Sequence, residues 1–414
     1  MHKETFIKEI EPIEKDVHVY DELDSLQEVA VWGKPGVETV LGQLYPEYIS
    51  LFFHDFDVVK ARKEFQYMEK LMQNEGVKTL RVKDAFVEVL RKEKHPHGVI
   101  SLKKLSQLLK RKAHQIHGEF RDKRDPLKYG FENLLDWIDE ILTQDAQEYG
   151  EEEAVKLNYE LCLKHPLPLA NILYGRDQSN VFGNSLVLSK MRWGIRTPEV
   201  GVYHRSYSQM GFRQVRPITA GYIEGGDGMM LNNICYIGVG VRTSRQAVFD
   251  LYAQIGDLLE EQGIQMVAVT DEKLARMSLR EAGPEMEAMH WDTWVGPLTR
   301  DTLIGCGDEI VKRKAERITR KNGHIYAEKL GGFGDFLGKR GYNVINISKE
   351  EQRNYATNYL HLGGNKIIVP LSKNKNSIEE MARLGIKVIP AEIEQLVGGY
   401  GAVHCMTASL TRNP

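Results

Sequence analysis

Cysteine is scarce in this sequence: four in 414 residues, Cys162, Cys235, Cys306 and Cys405. None forms a CxxC pair. Their scatter fits neither a disulfide framework nor a zinc site and matches a reducing compartment. Long apolar runs are missing too, so no stretch of about 18 residues could span a bilayer. The charged opening MHKETFIKEIEPIEKD has no apolar core of signal-peptide length. Neither sign of charge is in excess: 55 Lys+Arg against 58 Asp+Glu leave a net −3, which argues against nucleic acid or a membrane as partner. With 42% apolar and 27% charged residues, the chain reads as globular and cytoplasmic. At this length one core stops growing, so a large domain with an insertion, or two domains, is expected.

What is present is a recurring pattern. A helical segment ends at a glycine and an apolar strand follows, at Gly76 (GVKTLRV), Gly211 (GFRQVRP), Gly263 (GIQMVAV), Gly341 (GYNVINI) and Gly385 (GIKVIPA). Glycine supplies the left-handed cap, and the β-branched residues after it start a strand. Upstream of several helices lies another strand or strand pair, as in EVAVWGKPG, NNICYIGVGV and NKIIVPL. The unit is strand–strand–helix–strand, about five times over. The expected fold is α/β, a closed ring of five ββαβ units, with a doubly wound sheet as the alternative.

Residues 83–157 break the rhythm. LKKLSQLLKRK and YGFENLLDWIDEILTQ carry helical spacing without strand signals, which predicts an inserted bundle of four or five helices. The α/β part is then discontinuous, 1–82 and 158–414. The basic stretch Lys103–Lys112 reads as a solvated helix face, since acidic neighbours balance it and no aromatic residues interleave. His114, His117 and the HPH at 95–97 lack the Cys or carboxylate that would complete a metal site. GGFGDFLG (331–338) lacks the GxxxxGK[ST] pattern of a phosphate cradle and reads as a mobile loop near the site.

Four motifs remain, each expected at a strand end or in the loop after it: NILYGRD (171–177), EGGD (224–227), HWD (290–292) and VHCMT (403–407). Singly, each has a plain reading. Asp177 can pair with Arg176, EGGD can be a hairpin turn using positive φ, and His290 can be a core histidine partnered by Asp292. Together they supply a thiol, an imidazole and the carboxylates Asp177, Glu224 and Asp292. Cysteine with histidine is a nucleophile and its proton-transfer partner. Three carboxylates beside a thiol oppose its ionisation unless a cation enters. A guanidinium, planar and always charged, suits bidentate carboxylates best.

These residues resemble the arginine deiminase branch of the guanidino-group-modifying superfamily, whose pentein fold is a five-bladed ring of ββαβ units. The resemblance runs from about Ser25 to Arg412 and includes the helical insertion. It rests on PLANILYGRD with GNSLVLSKMRW, EGGD, H-W-D and HCMT with Arg412 behind it. It implies a Cys405 nucleophile, His290 as general acid/base, Asp177 and Asp292 gripping the guanidinium, and Glu224 between substrate and histidine. It further implies that Asn171, Arg196 and Arg242 hold the amino-acid end of arginine, with Tyr400 also at the substrate-binding edge. No metal or organic cofactor is implied; the expected partner is a small guanidino substrate, and the chain is expected to be a homo-oligomer, dimer or tetramer.

The match departs in places. Where the family usually has an arginine five residues before the cysteine, this chain has Tyr400, and the family's Leu-Phe-Asp-Asp turn reads Leu51-Phe52-Phe53-His54-Asp55. The segment GIRTPE keeps Arg196 but differs around it. Amidine chemistry is expected intact, with altered recognition of the substrate's far end. An amidinotransferase, which passes the amidino group to an amine, is the main alternative. An arginine dihydrolase, another guanidino substrate, a non-catalytic binding protein and a cysteine peptidase are further ones.

Overall fold

The computed structural model describes residues 14–52, 55–93, 100–215, 217–278, 281, 289–370 and 373–414. The HPH at 95–97, and Phe53 and His54 of the departing turn, lie outside them.

Five sheets occur among the described residues. Three follow one plan, an antiparallel hairpin whose second strand pairs in parallel with a third across a helical crossover. Gly228–Leu231 and Ile234–Val239 lead through helix Arg245–Glu261 to Gln265–Thr270. Val295–Pro297 and Thr302–Gly305 lead to Asn343–Asn346. Leu360–Gly363 and Lys366–Pro370 lead through helix Lys375–Arg383 to Lys387–Ala391. A fourth sheet has the same order but joins the two chain ends. Thr407–Asn413 pairs antiparallel with Ser25–Val31, which pairs in parallel with Lys78–Arg81. The fifth, Ser179–Phe182 with Ser185–Leu188, has no full third strand. There the expected strand GFRQVRP makes only single bridges, Phe212 to Lys15 and Gln214 to Leu186. Its last residue, Pro217, cannot donate to a ladder.

All five glycines that end the helices have φ between +73° and +86°, a region where a β-carbon is strained. Apolar faces of helices and strands meet in a core rich in Val, Leu, Ile and Phe, with a second cluster around Tyr236, Trp291, Trp294 and Phe333.

Two segments differ from the sequence reading. Lys314–Lys321 and His324–Gly332 form a hairpin that widens one sheet by pairing with Gln265–Thr270. Asn322 and Gly323 turn it, at φ 52° and 80°. GGFGDFLG is no loop: it is the end of that hairpin and the helix Phe333–Lys339. Phe333 is fully buried, its ring 5.4 Å from that of Trp291, and this packing anchors the segment.

The helical run consists of Val82–Lys92, Leu102–Phe120, Phe131–Tyr149 and Glu151–Cys162. Part of its basic stretch is engaged rather than solvated. Lys110 pairs with Asp139 at 2.5 Å, and Lys112 Nζ donates to the Cys162 carbonyl at 2.6 Å. The rings of His114 and His117 rest on Phe131. Where this run meets helix Val58–Asn74, Asp145 accepts from Arg62 Nη2 at 2.9 Å and Asn158 Nδ2 at 3.2 Å, with Lys83 Nζ 3.6 Å away.

Candidate active site

The motifs do not follow strands, as the sequence suggested; they precede them. Asp177 lies in the short helix Gly175–Gln178 just before Ser179–Phe182. EGGD runs into the 3-10 turn Gly225–Asp227 before Gly228–Leu231. HWD forms a turn before Val295–Pro297, and Cys405 lies in the turn before Thr407–Asn413. In each case a tight helical turn delivers a polar side chain to the start of the first strand of a unit, so separate units face one centre. The EGGD glycines serve close approach, not positive φ. A β-carbon on Gly225 would lie 2.1 Å from the Arg176 carbonyl oxygen, and one on Gly226 would lie 2.8 Å from Cγ of His290.

His290 is buried between two carboxylates: Nε2 lies 3.0 Å from Glu224 Oε2 and Nδ1 lies 3.4 Å from Asp177 Oδ1. Burial opposes its protonation, but Asp177 and Glu224 prevail and lift its pKa to about 9. It is therefore an imidazolium at neutral pH, a proton donor in waiting. Burial likewise opposes ionisation of Glu224, yet Arg242, 3.7 Å away, and His290 hold its pKa at about 2. In hydrogen bonds His290 meets Glu224 rather than Asp292, which acts on it through its charge, and Asp177 meets Arg196 rather than Arg176. Arg176 instead donates to the Thr407 carbonyl and to Asn180.

Across the centre, Cys405 is 3% exposed, its sulfur 3.6 Å from Asp292 Oδ2. Burial, then the charges of Asp292 and Asp177, push the thiol well above its usual pKa. Asp292 is held ionised against burial by His404, whose Nδ1 lies 2.6 Å from Asp292 Oδ2. The other nitrogen of His404 faces Glu22 at 3.2 Å, and Glu22 accepts from Arg412 at 3.0 Å. Oδ1 of Asp177 and Oδ1 of Asp292 are both buried without a hydrogen-bond partner.

The residues expected at the amino-acid end sit differently from one another. Arg196 is buried and committed to carboxylates: Nη1 donates to Asp177 Oδ2 at 2.7 Å and Nε to Glu199 Oε2 at 2.9 Å. Its expected contact with the far end of the substrate would require it to exchange one of these partners. Asn171 donates from its side chain to the Ser50 carbonyl at 2.6 Å, which makes it part of the wall in this arrangement. Arg242 Nη2 contacts Met289 Sδ at 3.3 Å, and its Nη1 has no hydrogen-bond partner. Tyr400 has φ 62° and packs in a small apolar cluster with Met289, Tyr355 and Ala402.

Sequence reasoning missed Glu199, Asp227, Asn358 and His404. Asp227 stands inside EGGD; burial pushes its carboxyl up to about 7, and its Oδ1 accepts from the Trp291 amide at 3.1 Å, which ties the two turns together. Asp177, Glu224 and His290 offer ligand atoms within 4.8 Å of one another, a spacing a metal could use. Those residues already pair with one another and with Arg196 and Arg242, a cationic surrounding unsuited to a metal ion.

A family model described as arginine deiminase matches residues 50–412. The chain belongs to the arginine deiminase family. Among members of the arginine deiminase family, it is similar to the arginine deiminase of Listeria monocytogenes serotype 4a (strain HCC23), 25% identical over 433 residues, with 97% of this chain and 98% of that one covered. The enzyme of Mycoplasma capricolum subsp. capricolum is 24% identical over 422 residues at the same coverage. Solved structures extend the likeness at the level of fold. A dimethylarginine dimethylaminohydrolase from Pseudomonas aeruginosa with citrulline covers 93% of this chain and is itself covered to 99% (TM-score 0.52, 14% identity). The N-terminal domain of a cyanobacterial arginine dihydrolase covers 93% and is covered to 98% (TM-score 0.54, 12% identity). The arginine deiminase family member described here thus has the mixed α/β pentein fold.

Proposed function

We propose that the protein hydrolyses a guanidino group, that of L-arginine first, to a ureido product, citrulline, and ammonia through a thiouronium on Cys405. The observation that carries this reading is the pair of buried carboxylates, Asp177 and Asp292, beside the Cys405 thiol, each with an oxygen lacking a hydrogen-bond partner. A guanidinium supplies donors for both oxygens and the positive charge that favours the thiolate.

The steps follow from the groups present. The thiolate adds to the guanidinium carbon and a C–S bond forms. The imidazolium of His290 gives its proton to the leaving nitrogen, the C–N bond breaks, and ammonia departs. Neutral His290 then takes a proton from water as its oxygen adds to the thiouronium. Collapse breaks the C–S bond, returns the thiolate and leaves the ureido group, whose extra proton passes to ammonia. Two modest barriers replace one high one, and proton delivery by His290 contributes roughly a hundred- to ten-thousand-fold. Glu224 keeps His290 oriented and charged. Arg242 lines the outer end of the substrate, while Arg196 and Asn171 reach it only by giving up their present partners.

The finer architecture in this reading is a ring of five ββαβ units around the site, closed by the pairing of the chain ends, with 83–157 as the helical insertion. It operates as a homo-oligomer, dimer or tetramer. Tyr400, packed on Met289 and Tyr355, favours a second substrate possibility, a guanidino compound with a less anionic far end. Mass spectrometry of products from L-arginine, with and without glycine as acceptor, tests the reading. Citrulline and ammonia without acceptor support it; ornithine only with the acceptor means an amidinotransferase. Ornithine with two ammonia molecules means a dihydrolase.

A further inference from the structure

Four motifs serve the centre from four units, and the fifth unit, Leu360–Gly363 with Lys366–Pro370 and Lys387–Ala391, has no acid, base or nucleophile in the turn before its first strand. What stands there is Asn358, in TNYLHLG. Its side chain is fully buried. Oδ1 accepts from two backbone amides, Ala402 N at 3.2 Å and Cys405 N at 3.1 Å. Nδ2 donates to Cys405 Sγ at 2.9 Å and to the Asp292 carbonyl at 3.4 Å.

The orientation of this amide follows from its partners. Two N–H donors on one side require an acceptor there, so the oxygen must face them and the NH2 must face the sulfur. Asn358 cannot rotate without orphaning both buried amides. It also spans the glycine-flanked turn that carries the nucleophile, from Ala402 to Cys405.

We propose that Asn358 is a catalytic residue: its side-chain amide donates to the sulfur of Cys405 and stabilises the thiolate over the thiol. An amide donates to a thiolate far better than to a thiol, because hydrogen bonds to an ionised acceptor are roughly twice as strong as those between neutral groups. Such a donor works against its surroundings, since Asp292 and Asp177 both oppose the thiolate, no lysine or arginine is bonded to the sulfur among the described residues, and only the Ala402 backbone amide favours the thiolate beside it. Asn358 surrenders no proton. The thiol proton leaves to solvent as the guanidinium enters, and when the C–S bond breaks the same N–H receives the returning thiolate.

This inference rests on the proposed role of Cys405, and the test separates the two. Alkylation of Cys405 by iodoacetamide, read by mass spectrometry of its peptide across pH 6–11, reports the thiolate without any substrate. Asn358→Asp keeps an acceptor for the two backbone amides and removes the donor; Asn358→Ala removes both ends. Both should slow alkylation of Cys405 at neutral pH by about tenfold or more and move its titration to higher pH, with Asn358→Asp the more affected. Asn358→Asp also adds a carboxylate whose charge alone raises the thiol pKa, so the lost donor is read from Asn358→Ala, in protein whose circular dichroism and melting stay near wild type. An unchanged titration in Asn358→Ala overturns the proposal, whatever becomes of turnover. If the titration shifts as expected but the wild-type protein converts no guanidino compound, the thiolate role stands and the proposed function fails.

Discussion

Asp145 and Asp177 are both buried aspartates beside an arginine, yet they do opposite things. Asp145, between the helical run and the α/β part, has both oxygens filled: Arg62 and Lys83 on one, Asn158 on the other. Burial opposes its ionisation, but Lys83 and Arg62 hold it charged. Asp177 satisfies one oxygen with Arg196 and leaves the other without a hydrogen-bond partner, 3.4 Å from a protonated histidine. Asp292 repeats that pattern opposite, with His404 on one oxygen and no partner on the other. A buried ion pair whose lone pairs are all filled serves the fold. One left part-filled stores affinity for a cation, because each open oxygen has already lost its water.

The largest way to break that contrast is Cys405→Ala, which removes the group the open carboxylates surround. Turnover should fall by more than about 10^4-fold while the melting curve stays nearly unchanged. Next, Asp145→Ala and Asp177→Asn should separate stability from activity. Asp145→Ala leaves Arg62 and Lys83 buried without their acid and should cost about 3–5 kcal/mol by denaturant unfolding, with the folded fraction still active. Asp177→Asn keeps an acceptor for Arg196, which Glu199 still pairs, so it should cost less stability than Asp145→Ala yet lower kcat/KM at least about a hundredfold. Equal effects of the two substitutions on stability would dissolve the distinction.

Tyr400→Arg sharpens the comparison at the far end of the substrate. A charge-assisted contact of about 1.5–3 kcal/mol should raise preference for L-arginine over its methyl ester by about ten- to a hundredfold in kcat/KM. A further expected effect is on pH dependence. His290 binds its proton more tightly folded than unfolded, its pKa being about 9 against the ordinary 6.5. Its stabilising contribution is complete below about pH 6.5 and is lost as pH rises through about 9. Chemical unfolding of wild type against His290→Asn across pH 6–10 should show the wild type losing more stability with rising pH.

The parts of this molecule legible in the sequence share a local cause. Five glycines at helix ends announced five helix stops, four of them followed by a parallel strand, because left-handed geometry is a single-residue demand. The hairpin at Asn322-Gly323 carried an equally local sign, an Asn-Gly pair between strand-like segments, and went unread because lysines and arginines masked the alternation. In the site, chemically loud residues stood out, whereas Asn358 has no charge and sits in a stretch, NYATNYL, without charged residues. Counting offered the missing clue: five units but only four motifs. The pairings were out of reach, since Asp292 meets His404 across 112 positions and Arg196 reaches Asp177 across 19 through a helix start. Such contacts depend on how the units face one another, which no local pattern records.

The central claim is that the open carboxylates hold a guanidinium for attack by Cys405. Its most direct test is to mix the protein with L-arginine, quench in acid within milliseconds to seconds, and weigh the peptide containing Cys405. The account predicts a transient gain equal to arginine less ammonia on Cys405, absent in Cys405→Ala, followed by citrulline. Citrulline formed without that adduct, and still formed by Cys405→Ala, would contradict it.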